Sequence, residues 1–342
     1  MTANPVLAEV TRGAMVESRH RGAIAVIGAD GQIVAAIGHT ERLIYPRSAI
    51  KPLQALALVE SGAAKAFGLG AAELALACAS HNSEPGHIEA LRTWLGRVGL
   101  TECQFECGAH LPRRTTDRDE LAKMGSKPGP IHNNCSGKHA GFMTTAVHCG
   151  EPVTGYTRHK HPVQQRAMDI VSELGGVSLL DAPAGIDGCG IPVAGMPLKS
   201  VALAFARFAN GKGLAERRRA ATLAIYQAMV EQPFMVAGTG RWCTRAIKAG
   251  AGAFIVKTGA EGVYCGAVPA AGIGIAIKVD DGAARAAECA MGWVLACFAG
   301  LDAPRRAEIL NLAVSPVNNF AGQRVGEVHP SAELAAYGNG SF

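Results

Sequence analysis

Aromatic residues are scarce: Phe, Tyr and Trp together make up 5% of the 342 residues. The basic residues are scattered, with Arg113-Arg114 and Arg217-Arg218-Arg219 among their few clusters. With no aromatic platform beside those clusters, the net charge of +5 describes a mildly positive surface and not a nucleic-acid footprint. Long hydrophobic runs are also missing. No uncharged stretch of about 18 residues is present to span a membrane. The opening Met1-Thr2-Ala3-Asn4-Pro5 shows no basic segment followed by an apolar one, so no signal peptide is read there and a cytoplasmic protein is expected. No Cys-x-x-Cys pair, internal repeat or low-complexity linker occurs. In a reducing compartment the ten cysteines are expected as thiols or metal ligands, not disulfides. Cys78, Cys289 and Cys297 lie inside Ala-rich apolar runs and read as inert core residues.

What is present is a globular composition, 49% hydrophobic and 18% charged, with 42 glycines for tight turns and close backbone approaches. Two β-leaning runs, Ala23 to Gly28 and Gln32 to Gly38, flank Ala29-Asp30-Gly31, a strong hairpin signal. An apolar helix follows Ser48 and ends near Ser61-Gly62. Further helices are expected over Glu73 to Ala79, His87 to Val98, His139 to His148, His161 to Leu174 and Leu214 to Glu231. Gly108 to Gly129 is polar and proline-punctuated and reads as an exposed excursion. Leu179 to Gly190 reads as a glycine-rich loop. Strand character returns over Ala253 to Thr258, Val263 to Val268 and Ile273 to Val279, and Ala284 to Ala299 closes as an apolar helix.

Strands at both ends and helices between them imply an α/β (α+β) fold, with one antiparallel sheet flanked by helices and a helical lobe inserted. The expectation is a single catalytic domain over 1–342. Residues 1–60 and 245–342 form its sheet lobe, residues 61–244 its mainly helical lobe, and the site lies in the cleft between.

Three short strings carry chemistry. Ser48-x-x-Lys51 opens a helix, Ser80-His81-Asn82 ends one, and Lys257-Thr258-Gly259 ends a strand. The set matches the Ser-x-x-Lys, Ser-Asp-Asn and Lys-Thr-Gly strings of penicillin-recognising serine enzymes, with His81 in place of Asp. Positions three apart share a helix face, so the Ser48 hydroxyl is expected to meet the Lys51 amine, which acts as base when neutral. Burial and the second ammonium of Lys257 would lower its pKa. Ser80 is placed as a proton relay. The backbone N–H of Ser48 and one after Lys257 form a candidate oxyanion hole. Separately, Cys135-x-x-Lys138 and Asp187-x-Cys189 lie in two glycine-rich loops. Two thiolates and a carboxylate suit zinc. The spacing is no zinc-finger pattern, however, and on chemistry alone two unrelated buried cysteines remain the better reading. His132, His139, His148, His159 and His161 are competing ligands.

Taken together, Pro46 to Pro52, Cys78 to His81, Asn134 to His139, Gly185 to Gly190 and Lys257 to Gly262 resemble the Rhizobium-type L-asparaginases, the asparaginase II family. The likeness runs from about Val10 to about Gly322. It implies a serine β-lactamase-like fold, a homodimer, and hydrolysis of L-asparagine to L-aspartate and ammonia. It maps the nucleophile to Ser48 with Lys51 as partner, and a second pair to Ser80 and Lys257. It also implies a Zn²⁺ ion held by Cys135, Lys138 and Cys189, with Asp187 nearby, serving substrate binding. Arg47 and His139 are expected to orient the substrate α-carboxylate, and Asp187 to face its amino end. A glutaminase or a β-lactamase-like serine amidohydrolase is the alternative, since one methylene is worth only about 1–3 kcal/mol of discrimination. A non-catalytic zinc-dependent binding module is a further one.

Overall fold

The structure is a computed structural model that describes residues 3–337. Met1 and Thr2, from the N-terminal reading, and the end of the 245–342 stretch lie outside the described residues. The two ends of the chain do share one sheet. Its strands run in the order Ser315–Asn318, Arg324–Pro330, Val6–Arg12, Met15–Gly28, Ile273–Val279, Val263–Val268, Ile255–Thr258, and Ile33–Ile37 also pairs with Met15–Gly28. Every pairing in it is antiparallel. The hairpin forms where the Asp-Gly signal stands. Gly31 has φ +89°, and the Gly28 N–H donates to Gln32 O at 2.9 Å.

Alternate residues of a strand face opposite sides, and the sheet is covered on both. Gly274 faces the helix Leu198–Asn210, while its neighbour Ile275 pairs with Gly266, which meets Met291 of the helix Ala284–Phe298. The strands Val263–Val268 and Ile255–Thr258 are almost wholly buried, as a two-sided sheet requires.

The sequence reading passed over the strands Val6–Arg12 and Arg324–Pro330 and the helices Leu198–Asn210, Trp242–Gly250 and Ala303–Ala313. The two strands are part-polar segments inside the sheet that pair with one another, Glu9 opposite His329. Their pairing is made by residues far apart in the chain, which local alternation does not reveal. The excursion also contains a helix, Thr115–Lys123, and the glycine-rich loop is the tip of a small hairpin, Ala184–Ile186 paired with Pro192–Ala194. Among the described residues no helix is long and apolar enough to cross a membrane.

Two helices are pressed together beside the sheet. A Cβ on Gly137, in the helix Ser136–His148, would lie 2.0 Å from the Leu76 carbonyl oxygen in the helix Ala71–Ala77. The close approach brings the residues after the first helix, Ser80 and His81, beside those that open the second, Cys135 and Ser136. Gly137→Ala is therefore expected to destabilise the protein by about 1–3 kcal/mol or more through overpacking. Gly96→Ala, on an exposed helix position with open space around it, should be neutral or stabilise by about 0.5–1 kcal/mol. Thermal melts of the two variants compare them directly.

Candidate active site

Ser48 sits in a 3-10 turn, Arg47–Ile50, and not in the first turn of one long α-helix. Pro52 has no N–H to donate to the Ser48 carbonyl, which instead accepts from the Lys51 N–H three residues on. Short helices Lys51–Gln54 and Leu56–Glu60 follow. Arg47, just before the serine, has φ +53°, a backbone position that costs a non-glycine residue free energy and often marks a functional turn. The third string is brought to this turn by Gly259. A Cβ there would lie 2.9 Å from the Pro46 carbonyl oxygen and 3.2 Å from the Ala49 Cβ.

The centre of the arrangement is Ser80. Its Oγ lies 3.1 Å from the Lys51 Nζ and 2.8 Å from the Lys257 Nζ. Both lysines are buried, Lys51 fully. Lys51 also donates to the Ala79 carbonyl oxygen and, at 3.2 Å, to the Cys135 Sγ. Lys257 donates to its neighbour Thr258 O at 2.7 Å. Burial, then the nearby Lys51 charge, pushes the Lys257 amine down to about 7. The expected meeting of Ser48 with Lys51 is absent: the half-buried Ser48 hydroxyl makes no hydrogen bond among the described residues. Ser48 lines a cavity, while the long Lys51 arm is drawn inward by its three buried acceptors, Ser80 among them. One expected oxyanion donor is also engaged, since the Gly259 N–H donates to Val263 O at 2.7 Å.

A second group of side chains converges beside the first. Lys138 Nζ donates to Cys189 Sγ at 2.9 Å, so each buried thiol has its own lysine. The Cys135 thiol is pulled well down by the hydrogen bond from Cys189, against burial, with the Lys51 and Lys138 charges helping. Burial would depress Lys138, but the charges of Cys135, Cys189 and Asp187 outweigh it and raise its pKa. Among the described residues no three His, Cys, Asp or Glu side chains form a metal-holding group, so the convergence is two sulfurs and an amine.

Asp187 sits at the hairpin tip, where its N–H donates to Ile191 O and its carbonyl accepts from Gly190. Its Oδ1 accepts from Arg47 Nε at 2.9 Å and Nη2 at 2.6 Å. Burial works against the charged form, yet Lys138 and Arg47 together hold the Asp187 carboxyl below its usual range. Arg47, Ser48, Lys138 and Asp187 line one cavity of about 30 Å³. That is room for a water or two and not for an amino acid while Arg47 and Asp187 hold each other.

His139 is fully buried and lies outside that lining. Its Nδ1 accepts from the Tyr156 hydroxyl at 2.7 Å, because that hydroxyl already accepts from the Glu106 N–H. Its Nε2 therefore carries the proton, and it has no partner among the described residues. Of the other candidate histidines, His148 and His159 are exposed, and the remaining two are engaged. His132 accepts from the Gly129 N–H, and His161 caps the helix Pro162–Gly175.

Sequence reasoning missed the residues that hold Ser80. Arg241 Nη1 donates to Ser80 O and to Asn82 Oδ1, both at 3.1 Å. His81 fills the place of the expected Asp. Its Nδ1 accepts from the Ser83 N–H, so its Nε2 donates to Ser136 Oγ at 2.9 Å and ties the Ser80 segment to the Cys135 helix. Glu84 is held near pH 2: burial opposes its ionisation, but Thr239, Arg114 and Asn82 all donate to it. Arg241 and Thr239 lie some 160 positions from Ser80, so no local signal points to them.

The L-asparaginase II family model matches residues 8–330. The chain belongs to the L-asparaginase II family. All the L-asparaginase II residues singled out above, Arg47 to Lys257, fall inside the matched span, and the family is one of amidohydrolases. No curated protein matches the chain. Among solved structures, Mglu in its native form is 15% identical over 84% of this chain and 63% of its own, at a TM-score of 0.43. Mglu in a Tris and glutamate form is likewise 15% identical over 84% of this chain and 61% of its own, at 0.44. A β-lactamase from Mycobacterium bovis is 15% identical over 81% of this chain and 95% of its own, at 0.43. The chain thus spans less than two thirds of the length of Mglu.

A lysine that titrates near 7 when folded and near 10.5 when unfolded leaves the unfolded chain holding more protons between those values. Stability contributed by this group therefore rises with pH across that window. In Lys257→Met that increment is expected to vanish, so the stability difference between wild type and variant should change with pH from 7 to 10. Denaturant melts at several pH values measure it.

Proposed function

We propose that the protein is an L-asparaginase that hydrolyses L-asparagine to L-aspartate and ammonia through a serine nucleophile. The observation that carries this reading is the Ser80 hydroxyl shared by two buried lysines, one of them lowered to about 7, in a chain of this family. Lysine amines that lose their proton near neutrality serve as general bases for a serine hydroxyl.

The Ser48 hydroxyl faces the cavity and attacks the side-chain amide carbon. For this the Ser48 hydroxyl must turn toward Lys51, with which it makes no hydrogen bond in the present arrangement, and its proton passes to that amine. From there the Lys51–Ser80–Lys257 hydrogen bonds, 3.1 and 2.8 Å long, offer a continuous path to the amine most ready to accept it. The same path returns a proton to departing ammonia, and water then hydrolyses the acyl-enzyme. Substrate enters by exchange of ion pairs. Its α-carboxylate replaces Asp187 on Arg47, and its ammonium group takes Asp187, which opens the small cavity. The unpartnered His139 Nε2–H is a buried donor in need of an acceptor, which supports its role toward the carboxylate.

Zinc is part of the proposal. The donor chemistry fits: Cys135 and Cys189 supply soft sulfur, and Lys138 supplies nitrogen once its proton has left. When bound there, the ion would fix and polarise the substrate's amino-acid end. The reading takes the protein as a homodimer, as the sequence likeness implies, working in the cytoplasm, as the sequence analysis expects. Exposed Leu180 and Ile186, adjacent in the chain to the cavity-lining Leu179 and Asp187, are apolar surface that a second copy would cover.

One observation favours a second assignment of roles. Ser80, not Ser48, is the hydroxyl already held by a lowered amine. Mass analysis of a trapped acyl-enzyme separates the two; acylation is expected on the Ser48 peptide, and acyl mass on the Ser80 peptide would reverse them. Ammonia release is expected to be faster from L-asparagine than from L-glutamine and to be lost in Ser48→Ala. Cys189→Ala, or a chelator, should chiefly raise KM. The rate should climb with pH through about 7 as Lys257 loses its proton; a profile that falls there would remove the lysine base from the mechanism.

A further inference from the structure

A groove of about 700 Å³ lies away from the cavity just described, between the helix Pro85–Val98 and the helix Thr115–Lys123 of the excursion. This volume is typical of small-molecule sites. Four carboxylates line it, Glu89, Glu102, Asp117 and Glu120, against two cations, Arg92 and Lys127. Apart from Asp117, none of these six makes a side-chain hydrogen bond or ion pair among the described residues.

Asp117 is the telling one. Arg114 is a single cation placed between two carboxylates. It donates to Glu84 Oε2 at 2.5 Å, while Asp117 Oδ2 lies 3.6 Å from its Nε. Glu84 takes the hydrogen bond, and Asp117 Oδ2 is left buried with none among the described residues, its side chain only 8% exposed. A buried carboxylate oxygen without a donor is costly, and a cationic ligand would satisfy it. Burial accordingly raises the Asp117 pKa, with the Glu84 and Glu120 charges adding to the rise over the opposing Arg114.

The acidic side chains are spread over the groove. Among the described residues no three of them come together to hold a metal. Ile88, Leu121 and Met124 line the same groove, an apolar contribution that a bare ion would not use. Spaced carboxylates in a groove that also offers hydrocarbon match spaced ammonium groups joined by methylenes. We propose that this groove binds an aliphatic polyamine, with Asp117, Glu120 and Glu89 receiving its ammonium groups and Ile88, Leu121 and Met124 its methylene chain.

The test is isothermal titration of the full chain with spermidine, beside Mg²⁺ as a charge-only probe and 1,8-octanediol as an apolar one. Saturable spermidine binding is expected, weakened about tenfold in Asp117→Asn and in Glu120→Gln, the loss of one charged hydrogen bond. Glu120 is exposed, so its variant keeps the test sound if Asp117→Asn folds poorly. Ammonia release in both variants should stay at the wild-type rate. No saturable spermidine binding, unchanged affinity in both variants, or equal binding of Mg²⁺ or octanediol would each overturn the proposal.

Discussion

Two lysines buried against one hydroxyl are the constraint on which the rest of this structure depends. Moving a single ammonium group out of water is expensive, and moving two into the same place adds their repulsion. The protein meets this in two ways. Lys51 is given a full set of acceptors, the Ala79 carbonyl, the Ser80 hydroxyl and the Cys135 sulfur. Lys257 is given fewer and gives up its proton readily. One serine thus stands between a buried donor with a full set of acceptors and a ready acceptor, an arrangement that can move a proton in either direction.

The neighbouring thiols extend the same logic. A lysine donates to each of Cys135 and Cys189, so the positive charge that burial would otherwise expel finds sulfur to face. Asp187 and Arg47 close the outer side as a matched pair. The site as a whole is a compact set of alternating charges, and an amino acid carries the same two charges in a form that can exchange with it.

Much of this was legible in the chain and some was not. The strands from 255 to 279, the Asp-Gly hairpin and most of the central helices follow from local pattern, because their apolar spacing and turn residues lie within a few positions of one another. The strands Val6–Arg12 and Arg324–Pro330 do not, since each is completed by a partner more than 300 positions away. Within the site, the three Ser/Lys strings and the two cysteine loops stood out as residue types. The pairing of Ser80 with Lys257 followed from the family likeness. That Lys51 also serves Ser80 did not, because the acceptors that draw its amine inward, the Ala79 carbonyl, the Ser80 hydroxyl and the Cys135 sulfur, lie some 30 to 80 positions away in the chain.

From its sequence alone the protein's family, its sheet-and-helix order and its reactive residue types could be stated, since these rest on short motifs and periodicity. Tertiary structure alone decided that Lys51 turns inward to Ser80, that Lys257 is the lowered amine, and that Arg241, His81 and Glu84 hold the serine in place. The physical reason is that burial and charge proximity are properties of the packed interior. Gly137 and Gly259 let segments from 71 to 259 approach to backbone contact, and only then do the two amines feel one another.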